Sequence, residues 1–222
     1  MPLILSIETA TQVCAIALHH DGQLIAHTSL LIEKSHATHL LPLIKQLLTV
    51  TPYTQKELDA IAISSGPGSY TGLRIGATTA KGLCYALDIP LIAINTLEGM
   101  AKGMAPYHPE GEILLASLLD ARRDAVYCLL ASPNGTIELP PCVKIIDGES
   151  FQDRLKKNKI LFFGSGAEKL KKHLANNRNA IFIDHIVPTA QSIGLLAYLK
   201  YRQKGFESIH DFEPLYLSQF EG

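Results

Sequence analysis

The chain has 222 residues, of which 47% are hydrophobic and 18% charged, and its 20 basic and 21 acidic residues give a formal net charge of -1. A chain of this length and apolar content forms one or two domains with a buried core, which excludes a disordered protein. The balanced charge lacks the basic field that binds nucleic acid strongly, so we expect any such contact to be local or to pass through a partner.

The first residues and the cysteines predict a cytoplasmic protein. The chain begins without a basic segment and reaches Glu8 too early for a signal peptide, and no apolar run approaches the roughly 18 residues of a membrane span. The four cysteines are far apart, without a Cys-x-x-Cys pair, at Cys14, Cys84, Cys128 and Cys142. We therefore expect reduced thiols and no contact with a membrane.

In the first half of the chain, the pattern predicts three strands followed by alternating helices and strands. The strands cover residues 3–7, 13–18 and 24–32, and Asp21-Gly22 between the last two is typical of a hairpin. A helix is predicted over residues 37–49, where Pro42 requires either a first turn or a kink. The remaining elements are a strand over 59–65, a loop over 66–72, a helix over 73–87, a strand over 90–94 and a helix over 96–104.

The second half repeats this order. Its predicted elements are strands over 113–119 and 126–131, a hairpin at Asn134-Gly135, a helix over 149–157, a strand over 160–163, a glycine loop over 164–166, a helix over 167–175, a strand over 181–183 and a helix over 191–204. Glu8 and Asp120 end the first strand of each half. We therefore predict a duplicated βββαβαβα unit, with lobes at residues 1–104 and 105–222 and a C-terminal segment that is a candidate to pack back on the first lobe.

This order of elements resembles the two lobes of the actin, hexokinase and Hsp70 (ASKHA) superfamily, an α/β fold. In those proteins the first hairpin of each lobe grips nucleotide phosphates. Here the hairpin reads Glu8-Thr9-Ala10-Thr11, where such ATPases usually carry Asp-x-Gly-Thr. A glycine at this position lets backbone N–H groups approach phosphate closely, whereas Ala10 carries a Cβ that restricts the backbone. We therefore do not expect an independent ATPase.

The densest motif reads Ser-Gly-Pro-Gly-Ser-Tyr-Thr-Gly-Leu-Arg-Ile-Gly over residues 65–76, between a predicted buried strand and a helix. Backbone N–H groups and the helix dipole converge at such a turn and favour an anion, but the motif matches neither the Walker A loop nor Gly-x-Gly-x-x-Gly. Two interpretations stay open: a nucleotide, anion or partner loop, and a turn in which Thr71 caps the helix. The candidate loop residues are Glu8, Thr9, Thr11, Gly66, Gly68, Ser69, Tyr70, Thr71, Gly72 and Arg74.

The helix predicted after this loop carries small and apolar residues on nearly all of its sides, so we expect two opposite sides of it to be buried. One side can contact its own sheet, and the other is either a partner surface or covered within the domain. The partner hypothesis uses this helix and the one over residues 37–49, with candidate residues Leu40, Leu41, Leu43, Ile44, Leu47, Leu73, Ile75, Gly76, Ala77, Thr79, Ala80 and Leu83. It predicts that Ala77→Glu or Ala80→Glu abolishes partner binding and leaves the monomer soluble.

No metal or catalytic site is predicted. His36 and His39 are one helical turn apart, but the motif lacks a third ligand and a glutamate base, so we expect capping or solvent-facing histidines. Neither a Gly-x-Ser-x-Gly frame nor a Ser-His-Asp order is visible.

Two charged segments in the second half leave alternatives open. The cluster of Asp120, Arg122, Arg123 and Asp124 either lines a cleft or is a solvated turn. Six lysines either attract a phosphate backbone or form a solvated surface, namely Lys156, Lys157, Lys159, Lys169, Lys171 and Lys172.

Taken together, the motifs resemble the bacterial TsaB family, also called YeaZ. The matching segments cover residues 5–11, 36–44, 66–76, 80–83, 119–123 and 213–217. The resemblance implies a role in making N6-threonylcarbamoyladenosine in tRNAs that read codons beginning with A. It implies that the chain is not the transferase but a degenerate relative of the catalytic subunit TsaD, which it binds as a heterodimer through helices of the first lobe.

The resemblance also implies further partners. The ATPase TsaE joins a ternary complex, tRNA is met through that complex, and ATP and a metal are held by partner subunits, with no cofactor bound by this chain alone. Whether the isolated chain forms a homodimer stays open. The competing hypothesis is an autonomous ATP-dependent phosphotransferase or a metallopeptidase-like enzyme, which activity of the chain alone would reveal.

Overall fold

The computed structural model describes residues 1–33, 35–108 and 113–217, which form two five-stranded sheets with helices. The first half contains β1 (Leu3–Glu8), β2 (Cys14–His20), β3 (Gln23–Leu30), α1 (His36–Thr49), β4 (Ala60–Ser64), α2 (Tyr70–Leu87), β5 (Leu91–Ile94) and α3 (Thr96–Met104). The second half contains β6 (Ile113–Asp120), β7 (Ala125–Ala131), β8 (Ile137–Ile145), α4 (Gln152–Leu155), β9 (Lys159–Phe163), α5 (Ala167–Leu174), β10 (Ala180–Ile183) and α6 (Ala190–Arg202).

The two sheets have the same topology. Their strand orders are β3-β2-β1-β4-β5 and β8-β7-β6-β9-β10. In each sheet the first three strands form an antiparallel meander, and the next two run parallel to the first strand. The parallel strands follow helical connections, as crossovers require. The predicted duplication of a βββαβαβα unit is confirmed.

The central strand β1 is buried along its whole length because helices cover both faces of the first sheet. Leu3, Leu5 and Ile7 point to one face and pack with α1 and α2. Ile4 points to the other face and packs with Ile193 of α6. Strands that are buried on both faces read as continuous apolar runs, which is the pattern of this segment.

Contacts within the chain define two units, each with its own sheet. The first unit contains Met1–Gly99 and Pro188–Tyr216, and Met100–Val187 form most of the second. From the sequence, the lobe boundary was predicted after residue 104, with the C-terminal segment of the second lobe a candidate to pack back on the first. In the structure α6 contacts β1, β2, β4 and β5, because its apolar side chains cover the second face of the first sheet. Residues 109–112 and 218–222 of the predicted second lobe lie outside the described residues.

Two predicted helices have different bounds in the structure. The helix expected over residues 73–87 begins at Tyr70, so the last part of the predicted loop is helical. The helix expected over residues 149–157 is reduced to Gln152–Leu155. Phe151, with a φ of 66°, has a left-handed backbone that cannot continue a helix toward the N-terminus.

Pro42 lies inside α1, in the second turn, where it cannot donate the usual hydrogen bond to the carbonyl of Thr38. The helix nevertheless continues to Thr49, and its buried leucines and isoleucine hold it on the sheet. None of the helices within the described residues is both long and apolar enough to cross a membrane.

Candidate functional site

The connection between β1 and β2 contacts the start of α2 through backbone atoms. The carbonyl oxygen of Ala10 accepts a hydrogen bond of 2.6 Å from the N–H group of Ser69. A Cβ at Gly68 would collide with that carbonyl oxygen, and a Cβ at Gly72 would collide with the carbonyl oxygen of Thr9. Glycine is required here because two backbone segments approach each other closely. One N–H group that an anion would need is therefore already bonded within the chain.

Ser69 caps α2, and not Thr71, which one of the two interpretations of the sequence left open as the cap. The Ser69 hydroxyl oxygen accepts a hydrogen bond of 3.3 Å from the N–H group of Gly72. This is the usual N-cap arrangement, and it moves the start of the helix three residues earlier than predicted. Thr71 lies exposed in the first turn. The role of this loop toward a nucleotide, an anion or a partner stays a prediction.

Two other predicted loop residues have structural contacts. The hydroxyl oxygen of Thr11 accepts a hydrogen bond of 3.3 Å from the Val13 N–H group. The carbonyl oxygen of Gly66 accepts one of 2.9 Å from the Thr96 N–H group at the start of α3. Both contacts hold backbone segments of the first unit together.

Glu8 is a fully buried carboxyl at the end of β1. One of its oxygens, Oε1, accepts a hydrogen bond of 2.6 Å from the Ala10 N–H group. Burial raises the pKa of Glu8 to about 7, and the hydrogen bonds from Ala10 and from the Ser64 side chain offset only part of that rise. Within the described part of the chain, Oε2 has no hydrogen-bond partner. Glu8 is therefore protonated in a large fraction of molecules at neutral pH.

An exposed cluster of side chains lies beside the glycine segment. The Arg74 guanidinium lies over the Tyr70 ring, 4.7 Å from its centroid, and the Tyr70 and Tyr216 rings are 5.0 Å apart. The Leu215 N–H group donates a hydrogen bond of 2.6 Å to the carbonyl oxygen of Ser65. The sequence marks residues 213–217 as a motif but does not predict this contact, because no local pattern joins segments so far apart in the chain.

Most of the predicted partner-binding residues lie in the core of the first unit. Side chains of α1 and α2 that face the sheet are buried, namely Leu40, Leu43, Ile44, Leu47, Leu73, Ala77 and Ala80, together with Gly76. These positions are not on a surface that a partner could reach. The predicted outcome of Ala77→Glu and Ala80→Glu is corrected accordingly, because a charge at either position would destabilise the monomer itself.

The outer faces of α1 and α2 form an exposed surface instead. The two helices contact each other, and Leu41 of α1 is 57% exposed while Tyr85 of α2 is 77% exposed. A Cβ at Gly82 would have no heavy atom within 4 Å. We call the set of Leu41, Thr78, Gly82, Tyr85 and Ala86 the α1–α2 surface; all five residues are exposed.

Ile75, Thr79 and Leu83 of the predicted set are half-buried at the edge of this surface. Tyr85 of α2 was not among the residues predicted from the sequence. Its helical position was the available signal, since residues 78, 82, 85 and 86 lie opposite the side that contacts the sheet.

The two histidines of α1 have separate structural contacts. His36 is buried, and its Nε2 lies 3.1 Å from the carbonyl oxygen of Val13. The Nδ1 atom of His39 lies 2.7 Å from the Thr38 hydroxyl and 3.1 Å from the Ser35 carbonyl oxygen. The residues that the structure describes contain no group of three or more side chains able to hold a metal ion.

The basic residues of the second unit are partly neutralised. Lys169 and Lys171 form ion pairs of 2.9 Å with Asp120 and Asp184, and Lys156 pairs with Asp153 at 2.8 Å. Asp120 also accepts a hydrogen bond of 2.6 Å from the Arg122 N–H group, so this charged turn is bonded internally. These contacts favour the solvated interpretation of the lysines.

Comparison with known proteins identifies relatives for most of the chain. Residues 30–193 match the family described as TsaD, tRNA N6-adenosine threonylcarbamoyltransferase. The chain is 32% identical over 175 residues to the tRNA threonylcarbamoyladenosine biosynthesis protein TsaB of Buchnera aphidicola subsp. Schizaphis graminum, an alignment that covers 77% of this chain and 81% of that protein. It is 37% identical over 124 residues to the Escherichia coli protein of the same name, covering 56% of this chain and 52% of that protein.

Solved structures show the same fold. YeaZ from Pseudomonas aeruginosa matches with a TM-score of 0.81 and 26% identity, over 98% of this chain and 100% of that chain. The activator of 2-hydroxyisocaproyl-CoA dehydratase from Clostridium difficile, with bound ADPNP, matches with a TM-score of 0.53 and 11% identity, over 93% of this chain and 98% of that chain. The predicted ASKHA-type α/β fold is confirmed.

Proposed function

Because this chain belongs to the TsaB (YeaZ) family, we propose that it acts in N6-threonylcarbamoyladenosine synthesis as a non-catalytic subunit that binds and stabilises the transferase TsaD. The match of residues 30–193 to the transferase's own family supports a common origin of the two subunits. A subunit that shares the fold of its catalytic partner can present equivalent helices to it. The chain thus contributes a surface to the complex, and the partner contributes the chemistry.

The α1–α2 surface is the observation that carries this proposal. It combines an exposed leucine and an exposed tyrosine with small residues along α2. Small side chains such as Gly82 and Ala86 let a second helix approach closely, and aromatic residues such as Tyr85 are enriched where interfaces are tightly packed. Lys81 is not part of this surface. Its Nζ donates hydrogen bonds of 3.2 Å to the carbonyl oxygens of His210 and Phe212.

The other components enter through the complex. In this proposal TsaE joins the heterodimer, ATP and the metal are bound by partner subunits, and tRNA is held by the assembly in the cytoplasm. The chain's net charge of -1 and the ion pairs of its lysines agree with a minor direct contribution to RNA binding. When the partner is absent, the same surface is free for self-association.

Binding to the TsaD homologue of the same organism tests the proposal. We expect Tyr85→Glu and Gly82→Arg each to weaken the complex by at least about tenfold, because a charge or a long side chain prevents close helix packing. Both positions are exposed, so the variants should keep the far-ultraviolet circular dichroism of the parent protein. Tyr107→Glu is the matched control, since Tyr107 is 76% exposed, as Tyr85 is 77% exposed, but lies outside α1 and α2.

Two results would contradict the proposal at different points. Parental affinity in both α2 variants would reject this surface and leave the family role open. ATP hydrolysis or peptidase activity by the purified chain alone, lost when Glu8 is replaced, would reject the non-catalytic role. Reconstituted tRNA modification should require this chain and should fall in the same variants that lose binding.

A further inference from the structure

Two cysteines face each other across neighbouring strands of the second unit. Cys128 of β7 is the register partner of Cys142 of β8, and their Sγ atoms lie 3.4 Å apart. Directly opposed residues of antiparallel strands have Cα atoms roughly 4.5–5.5 Å apart, which lies within the range that a disulfide spans. The two side chains can therefore be joined without moving the strands.

The two thiols differ in accessibility. Cys128 is buried in the core of the second unit beside Val126 and Leu130. Cys142 is only partly buried, because β8 is an edge strand of its sheet. An attacking reagent can therefore reach the second thiol, while the first is shielded and adjacent.

The two thiols also differ in acidity. The hydrogen bond between the sulfur atoms lowers the pKa of Cys142 and raises that of Cys128, and the positive charge of Lys144 lowers the pKa of Cys142 further. Lys144 follows two residues later on the same face of β8, and its Nζ lies 5.5 Å from the Phe151 ring centroid. Its greater exposure, together with the nearby Lys144, favours Cys142 as the attacking thiol.

The remaining cysteines lack these features. Cys14 and Cys84 are buried in the first unit, and burial raises the pKa of Cys14 to about 11 and of Cys84 to about 12. Buried thiols of this kind react slowly. Cys14 and Cys84 therefore serve as slowly reacting references when the reactivity of Cys142 is measured.

We propose that Cys128 and Cys142 are a reversible thiol–disulfide site, oxidised by a low-molecular-weight disulfide such as glutathione disulfide. The Cys142 thiolate attacks one sulfur of that disulfide, forming a mixed disulfide and releasing one thiolate, which takes up a proton. Cys128 then loses its proton and attacks the Cys142 sulfur, forming the bond between the two cysteines and releasing the second thiol. The protein dithiol is oxidised by two electrons, and the small disulfide is reduced to two thiols.

The product ties the edge strand to the sheet. Cys128 and Cys142 are 14 positions apart, so the bond closes the β7–β8 hairpin covalently. Cross-linking the hairpin restricts the unfolded chain and opposes separation of β8 from β7. We expect slower amide exchange across residues 137–145 in the oxidised protein, and a higher Tm than in the reduced protein.

Thiol mapping of the native full-length protein tests the site. The protein is incubated with excess glutathione disulfide, alkylated, digested and analysed by mass spectrometry. We expect a peptide pair joined through Cys128 and Cys142, with Cys14 and Cys84 left as free thiols, and we expect reduced glutathione in excess to reverse the bond. Before oxidation, Cys142 should be alkylated at least about tenfold faster than Cys14 or Cys84.

Serine variants separate the steps. In Cys128→Ser, Cys142 should accumulate the mixed disulfide with glutathione, and in Cys142→Ser, Cys128 should stay reduced. Cys84→Ser is the control and should form the cross-link as the parent does. The proposal is overturned if all four cysteines of the parent protein stay reduced in excess glutathione disulfide, or if Cys142 of the parent stops at the mixed disulfide.

Discussion

Glu8 and His19 are buried ionisable residues of the first unit with opposite effects of pH on stability. Glu8 ends β1, and His19 lies on β2, where its ring contacts Gly194 of α6 so closely that a Cβ at Gly194 would collide with it. Burial lowers the pKa of His19 to about 4, and neither ring nitrogen has a hydrogen-bond partner among the described residues. The fold therefore favours an uncharged carboxyl and an uncharged imidazole.

The first prediction concerns Glu8→Gln. The carboxyl has a pKa of 4.5 in the unfolded chain and about 7 in the folded protein, so the folded state binds the proton more tightly between these values. The contribution of Glu8 to the free energy of unfolding is therefore present below pH 4.5 and is lost as pH rises through 7, by about 3 kcal/mol in total. Glu8→Gln should remove this loss, which urea unfolding at a series of pH values measures. An unchanged profile in the variant would show that Glu8 does not titrate in this window.

The second prediction concerns His19→Leu. The imidazole has a pKa of 6.5 in the unfolded chain and about 4 in the folded protein, so its contribution to stability is present above pH 6.5 and is lost as pH falls through 4. The loss is about 3 kcal/mol and should be absent in the leucine variant. Between pH 4.5 and 6.5 the two groups act in opposite directions, so the parent profile should be nearly flat there. The Glu8→Gln variant should then become less stable as pH falls, because only His19 still titrates. The His19→Leu variant should become less stable as pH rises toward neutral, because only Glu8 still titrates. The same dependence of unfolding free energy on pH in both variants would contradict these assignments.

At the scale of elements, two of the three glycines of α2 have opposite surroundings. Gly72 lies against the Thr9 carbonyl oxygen, whereas Gly82 faces open space. Gly82→Ala should raise the free energy of unfolding by about 0.5–1 kcal/mol, because alanine is the better helix former. Gly72→Ala should lower it by about 1–3 kcal/mol, because the new methyl group displaces backbone. Urea unfolding of both variants measures the difference, and a loss of stability in Gly82→Ala would show that its surroundings are not open.

The sequence predicts the elements better than it predicts what their faces contact. Leucine spacing in α1 and small residues in α2 indicate apolar sides correctly, but periodicity alone cannot say whether a sheet or a partner covers them. The buried Leu40 and Ala77 contact the chain's own sheet, and the exposed Tyr85 is on the other side. Chain order likewise left open which lobe the C-terminal segment joins, and in the structure the apolar residues of α6 cover the first sheet. Such long-range choices depend on which surfaces remain uncovered after the local elements form.

At the scale of the whole molecule, α6 follows the second unit in the chain but packs on the first sheet. Residues of α6 are therefore part of the core of the first unit. Ile193 of α6 is buried with Ile4 and Ile92 of the first sheet. Leu170 of α5 is buried with Leu118 in the core of the second unit. Each helix therefore contributes to one of the two cores, which allows the stability of the two units to be perturbed separately.

The final prediction compares Ile193→Ala with Leu170→Ala. Each removes a fully buried branched side chain and should cost about 2–5 kcal/mol of stability in the unit that contains it. Amide hydrogen exchange should accelerate in β1, β4 and β5 for Ile193→Ala, and in β6, β7 and β9 for Leu170→Ala, because local opening follows the core that has been weakened. The two variants serve as controls for each other. If both accelerate exchange equally in both sheets, the chain opens as one cooperative unit and α6 stabilises the molecule as a whole, not the first unit alone.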